Sequence, residues 1–327
     1  WAGDDMPNLV QATVAGRIRK NSSGEQISTG HRYNEDLLTG NHAIRSVEEH
    51  PLDLEISFPI QRSEIVDWNA ITQSLQSIYS TEFKIESDQH SVLITDSPFS
   101  TAKQREKLAD IFFRHFRVPS LLFYNSAVLS LFSTGATNGL VVESGEGTSY
   151  SVPVFEGYSI RHGIEKINIG GTDLTQRMLE LISRPDLPLD IARDMKEKTV
   201  VVRSGSATDG HDPDIPMQYE LPDGSTIDIG GQLRYDIGEM VFQTGTGIGI
   251  HDMAMNSIQM CDSNLRAALY DNVVVAGGTS LMTGFHDRLQ FEMNRLVPEP
   301  GRKIKMQNKR RYASWIGGSL LGSLSTF

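Results

Sequence analysis

A chain of 327 residues is too long for one small core and suits two domains or one large bilobed one. Its 39% hydrophobic and 22% charged residues are ordinary for a globular protein, and a formal net charge of −11 argues against a general grip on nucleic acid, which needs clustered cations. A single cysteine, Cys261, excludes an intramolecular disulfide and disfavours a thiolate zinc site, as expected of a reducing compartment.

The N-terminus, WAGDDMPNLV, has no basic region followed by an apolar core, so no signal peptide is expected. Residues 21–42, NSSGEQISTGHRYNEDLLTGNH, are polar and punctuated by glycine, and read as a long excursion. HSVLITDSP is a strand ending in a turn. STAKQREKLADIFFRHF then places Ala102, Leu108, Ala109, Phe112, Phe113 and Phe116 on one helical face, and Thr101 with Gln104 forms a capping box at its start. Pro119 stops this helix, SLLFY is a buried strand, and SAVLSLFSTG a short helix closed by Gly135.

Three strands follow, around GLVVES, YSVPVF and YSIRHGIEKINI, and Gly170 and Gly171 lead into the helix TDLTQRMLELI. SGSATDGHDPDIP, residues 204–216, is a second loop, and YELPDGSTIDIG a hairpin turned by Pro-Asp-Gly. NVVVAGGTSLMTGFHDRLQFEMNRL is a buried strand, a double glycine and an amphipathic helix ended by Pro298 and Pro300. RRYASWIGGSLLGSLSTF is helical, with small residues at Gly317, Gly318, Ser319 and Gly322 that let backbones approach closely. Strands alternating with packed helices make this an α/β protein. No apolar run nears the roughly 18–20 residues that span a bilayer, and the nine scattered histidines show no metal-ligand spacing.

Two turns have the composition to touch a phosphate. SGEGTS, residues 144–149, joins two apolar strands and offers hydroxyls and backbone N–H groups, with Glu143 supplying a carboxylate. It is either a plain hairpin or a phosphate cradle. AGGTS, residues 276–280, stands where a strand enters a helix, and is either a tight connection or a nucleotide contact. Neither is a Walker A loop or a GxGxxG fingerprint, and no nucleophile triad can be proposed from spacing.

The order and wording of the segments carry further. AGDDMP, VDW at 66–68, AKQREKLADIFF, FRVPSLLFYNSAVLSLFSTG, VPVFEGYSI, GGTDLT, RDMKEK, YELPDG, GIHDMAMNSI, GGTSLMTGFHDRL and the C-terminal WIGGS…SLSTF together resemble actin and the actin-related proteins over nearly the whole chain. YELPDG and WIGGS are specific to that family; sugar kinases and Hsp70-type chaperones share its fold and lack them. The resemblance implies a two-lobed α/β ATPase fold with a nucleotide cleft between the lobes, ATP or ADP as cofactor, and Mg2+ or Ca2+. It places 1–125 and 308–327 in a first lobe, with a small outer subdomain at about 11–50, and 126–307 in a second, with an outer subdomain at about 172–250. ESGEGTSY then matches the second phosphate hairpin, so that Ser144, Gly145, Glu146, Gly147 and Thr148 face the phosphates and ribose. Gly171, Lys196, Glu197, Gly278, Thr279, Leu281, Met282 and Arg311 match the nucleoside pocket, and Glu143 a water-mediated cation contact. The family's first phosphate hairpin would precede Trp1 and its last helices follow Phe327, so the chain is expected to be part of a longer one.

The departures bear on function. Ser126 stands where actins have a water-positioning glutamine, Tyr150 where they have a histidine, and Glu143 where they have an aspartate. Serine is shorter, a neutral phenol cannot accept a proton as imidazole does, and an added methylene moves a carboxylate by about an ångström. Any ATP hydrolysis is therefore expected to be slow. FQTGTGIGIHDM is shorter than the corresponding filament-contact segment, and the excursion at 21–50 is longer. The expectation is a nucleotide-binding structural subunit, partnered by other actin-family subunits or a multi-subunit complex, with no direct nucleic-acid contact and no membrane insertion. Chromatin-remodelling, dynactin-like or axonemal assemblies are candidates, in cytoplasm, cytoskeleton or nucleus. The alternative is a divergent polymerising actin with filament-coupled hydrolysis.

Overall fold

Residues 21–36 and 206–215, the hearts of the two expected loops, lie outside the residues described by the computed structural model, which are 1–18, 37–49, 54–184, 187–205, 216–221, 224–245, 247–299, 301–308 and 311–325. The chain divides into a smaller unit, Pro7–Phe123, and a larger one, Trp1–Met6 with Tyr124–Phe327.

In the smaller unit β1 (Ala15–Ile18) is the middle strand of an antiparallel sheet, between β2 (Leu37–Thr39) and β3 (Leu54–Ser57). Helix α1 (Gly40–Glu49) lies on this sheet and buries Ala43 against Val14, Leu38 and Leu54. The loop expected over 21–42 therefore ends early. Leu37 and Leu38 are apolar enough to be drawn into strand pairing and burial, against the polar average of their neighbours. After the short hairpin of β4 (Ile60–Gln61) and β5 (Glu64–Ile65), α2 (Trp68–Ser77) starts at Asp67, whose carboxylate accepts from the Ala70 amide at 3.0 Å and pairs with Arg17.

β6 (Val92–Asp96) and β7 (Leu121–Asn125) pair with each other, joined through α3 (Ala102–Asp110). The capping box is present: the Gln104 amide donates to Thr101 Oγ1 at 3.2 Å, and the Thr101 amide to Gln104 Oε1 at 3.2 Å. The apolar face is only partly as expected. Leu108, Phe112 and Phe116 are buried, whereas Phe113 is 48% exposed. From Ile111 to His115 the helix widens to the π form, fewer degrees per residue, which takes Phe113 off the inner face. The SLLFY strand is half-buried rather than buried, and has one strand partner among the described residues.

The larger unit is built on a mixed sheet ordered β10–β9–β8–β14–β15. Helix α4 (Ser126–Phe132) is capped by Asn125, which accepts from the Ala127 and Val128 amides at 2.9 and 3.3 Å. β8 (Gly139–Ser144) and β9 (Ser149–Phe155) form an antiparallel hairpin. The third expected strand is broken into β10 (Tyr158–Ser159) and β11 (Glu165–Ile167), both paired with β9. The turn between them is held by Ser257, whose hydroxyl donates to the Gly163 carbonyl, so that this backbone leaves the ladder.

Helices α5 (Gly171–Ile182) and α6 (Leu189–Thr199) follow, then the expected hairpin, β12 (Met217–Glu220) antiparallel to β13 (Thr226–Ile229). Of its turn, Pro222 and Asp223 lie outside the described residues. Helices α7 (Gly231–Glu239), α8 (Ile250–Gln259) and α9 (Ser263–Tyr270) lead to β14 (Val273–Ala276), which is fully buried and parallel to both β8 and β15 (Met306–Asn308). A parallel strand buried on both faces reads as an unbroken apolar run, as VVVA does.

Helix α10 (Phe285–Leu296) ends two residues before Pro298; Pro300 lies outside the described residues. The main core joins Leu140, Leu174, Met195, Ile237, Tyr270 and Phe285. The last helix, α11 (Ala313–Gly322), packs on α4 so closely that a Cβ added at Gly317 would lie 1.8 Å from the Leu129 carbonyl oxygen. This groups the C-terminal helix with the larger unit. No described helix is long and apolar enough to cross a membrane.

Candidate functional site

The turn between β8 and β9 is fastened from two directions. Within the hairpin, Ser144 Oγ and Ser149 Oγ are 2.8 Å apart, the Ser149 hydroxyl donates to the Ile169 carbonyl at 2.8 Å, and the Gly145 amide donates to the Thr148 carbonyl at 3.0 Å. The start of α5 then docks on the tip: the Gly171 amide donates to the Gly145 carbonyl at 3.0 Å and the Thr172 amide to the Glu146 carbonyl at 2.8 Å. From the other side the Thr279 hydroxyl, in the turn after β14, donates to the same Gly145 carbonyl at 2.9 Å.

Such contacts need bare backbone. A Cβ at Gly170 would lie 2.6 Å from the Glu146 carbonyl oxygen. Gly277 adopts φ +89°, and a Cβ there would lie 2.2 Å from the Ser144 carbonyl oxygen. The two glycine turns singled out in the sequence are thus one construction.

Charged groups join it. Glu146 Oε1 accepts from Thr172 Oγ1 at 3.3 Å and pairs with Arg193 Nη2 of α6 at 3.2 Å. Lys196, also of α6, is 6% exposed and donates from Nζ to the Gly171 carbonyl at 3.1 Å. Burial lowers its pKa, opposed by the carboxylates of Glu146 and Glu197. Thr148 and Ser144 are buried, and a Cβ at Gly278 would meet nothing, so that turn borders open space.

Ser126, Glu143 and Tyr150 form a second group just behind the hairpin. Ser126 Oγ lies 3.1 Å from the Tyr150 hydroxyl, and Glu143 faces Tyr150 across the ladder. Burial raises the Glu143 pKa, and the Tyr150 phenol partly offsets this. Burial and the neighbouring Glu143 push the phenol well above its ordinary value, so it stays protonated. Glu143 Oε2 is buried with no hydrogen-bond partner among the described residues.

Linkage follows from the raised carboxyl. The folded chain holds its Glu143 proton more tightly than the unfolded one, so the stability contributed is present below the ordinary value of 4.5 and lost as pH rises through the folded value. Nucleotide-free wild type should lose stability across that window, and Glu143→Gln should flatten the slope in urea titrations at stepped pH. Parallel slopes for the two proteins would refute this.

Of the residues expected at a nucleotide site, hydrogen bonds and ion pairs bring together Gly145, Glu146, Gly171, Lys196 and Thr279, with Ser144, Gly147 and Thr148 in the same turn. The Gly145 amide is taken up inside the hairpin and is not an open donor. Glu197 is exposed beside Lys196, Leu281 is 42% exposed, and Met282 packs on the main core. Arg311 is exposed, its guanidinium 5.7 Å from the Tyr312 ring, outside the hydrogen-bonded cluster. Sequence reasoning missed Thr172 and Arg193. Arg193 is three residues before Lys196, on the same helical face, which is the signal that could have found it.

The donor set fits a nucleotide and its cation. A buried ammonium and hydroxyls lie beside a turn that borders open space, while the first amides of α5 are spent on the Gly145 and Glu146 carbonyls. The buried Glu143 Oε2, without a partner among the described residues, is an acceptor that a cation or a water would satisfy. The actin family model matches residues 1–190 and 188–327, which together span the sequence. Members of that family bind ATP or ADP with a divalent cation. With its α/β fold, its fastened hairpin and this end-to-end match, the chain belongs to the actin family.

Proposed function

We propose that this actin-family chain binds ATP or ADP, with Mg2+ or Ca2+, at the turn 144–148, and serves as a nucleotide-stabilised structural subunit of a larger assembly with hydrolysis slow or absent. The observation that carries the reading is the Ser126–Tyr150 contact at 3.1 Å. At the positions where actins hold and deprotonate water, a hydroxyl and a protonated phenol engage each other instead, and neither is a base. Glu143, Ser144, Gly145, Glu146, Gly147 and Thr148 would contact the phosphates, ribose and cation, and Lys196 would place its charge nearby. The bound cation would neutralise phosphate charge; the protein's part is to hold and orient.

Under this reading the ligand is an adhesive. At 100-fold over the dissociation constant it adds about 2.7 kcal/mol to stability. Partners would be other actin-family subunits or a multi-subunit complex. Denaturing the purified protein and separating released nucleotide by chromatography tests it. ATP near one per chain, persisting for hours, is expected. Mostly ADP would favour the second reading, a polymerising actin with filament-coupled hydrolysis, and no nucleotide would refute both. The end-to-end family match supports that second reading too, and cooperative sedimentation with ATP and Mg2+ would be its signature.

A further inference from the structure

Glu143 and Tyr150 are directly opposed across β8 and β9, one pair before the hairpin tip. Side chains of such a pair share a face with Cβ atoms about 4.5–5.5 Å apart, so each restricts the other's rotamers. Tyr150 is itself braced. Its ring is buried, and its hydroxyl meets Ser126 Oγ, on the first residue of α4, at 3.1 Å. Glu143 is not braced in this way on its other side, where Oε2 is buried and unpartnered among the described residues. A buried carboxylate oxygen without a donor is costly, and only a cation, a water or a proton relieves it. The longer glutamate also has one more rotatable bond to fix than aspartate would.

We propose that Tyr150 is a positioning residue for a divalent cation: braced by Ser126, it holds the Glu143 carboxyl group so that Oε2 is the acceptor offered to the cation of a bound nucleotide or to a water in its shell. This rests on the nucleotide-binding reading above. Tyr150 and Ser126 would thus have a use of their own, in retaining the cation. Outer groups that orient a metal ligand commonly change metal affinity by 10–100-fold.

The test is a Mn2+ titration followed by electron paramagnetic resonance, on the full chain loaded with ATP and freed of excess nucleotide. Tyr150→Phe should weaken Mn2+ binding about 10-fold and Ser126→Ala about threefold, while Tyr150→His, which keeps a donor, should recover to within about threefold of wild type. ATP binding measured in EDTA should be equal in all four proteins, which a merely structural effect of the substitutions would not leave unmoved. If Tyr150→Phe binds ATP and Mn2+ as wild type does, the proposal falls and the nucleotide reading stands. If wild type binds ATP without Mn2+, the proposal also falls; if it binds neither, both fall. Should Tyr150→Phe fail to fold, Ser126→Ala decides: weakened Mn2+ binding with ATP affinity in EDTA intact supports the proposal, and unchanged Mn2+ binding overturns it.

Discussion

Gly317→Val should lower the melting temperature by about 10 °C. The new Cβ would lie 1.8 Å from the Leu129 carbonyl oxygen and 2.5 Å from its carbon, both backbone atoms of α4 that cannot rotate away. Residues Ala127 to Leu131 are buried all round, so α4 cannot retreat without opening the core behind it. Overpacking of this kind costs about 1–3 kcal/mol and more where backbones meet. For a body of this size each kcal/mol shifts the midpoint by about 2–4 °C. Calorimetry on the variant decides it; a midpoint within 2 °C or so of wild type would mean the helices separate at little cost, and the close approach would lose its significance.

Gly277→Val should abolish nucleotide retention. The position has φ +89°, which a β-branched residue avoids, and its Cβ would lie 2.2 Å from the Ser144 carbonyl oxygen. Relief requires the turn after β14 to move off the hairpin, which breaks the Thr279 contact to the Gly145 carbonyl. A displacement of about 1 Å at a positioned site costs on the order of 100-fold, and that loss should appear in equilibrium binding of a fluorescent ATP analogue. Gly245→Ala, whose Cβ meets nothing and which lies outside the expected nucleotide site, is the control. Equal binding by the two variants would sink the claim that Gly277 holds the cradle together.

Much of this arrangement was legible in the residues. Thr101 with Gln104, the VVVA run and the YELPDG hairpin each depend on near neighbours, and near neighbours are what a sequence displays. SGEGTS and AGGTS could be found separately by composition, and only the family resemblance put them in one site. Their union depends on the parallel pairing of β8 with β14, which sets Ala276 opposite Glu143 across more than a hundred residues of chain. Phe113 was misplaced because a π turn looks like any other helical turn in one dimension. The stretch 158–169 was read as one strand because its interruption comes from Ser257, a residue far along the chain. The Ser126–Tyr150 contact was likewise invisible: the resemblance implied that both positions differ from actin, not that the two side chains touch.

The Gly145 carbonyl accepts from the Gly171 amide and from the Thr279 hydroxyl. In a nascent polypeptide those three residues leave the ribosome far apart in time. The hairpin can form early, yet its second fastening waits until residue 279 has been synthesised and has cleared the exit tunnel, because non-local closures follow local ones. A chain arrested before residue 279 would hold this turn by the α5 contacts alone, with its hairpin only half secured.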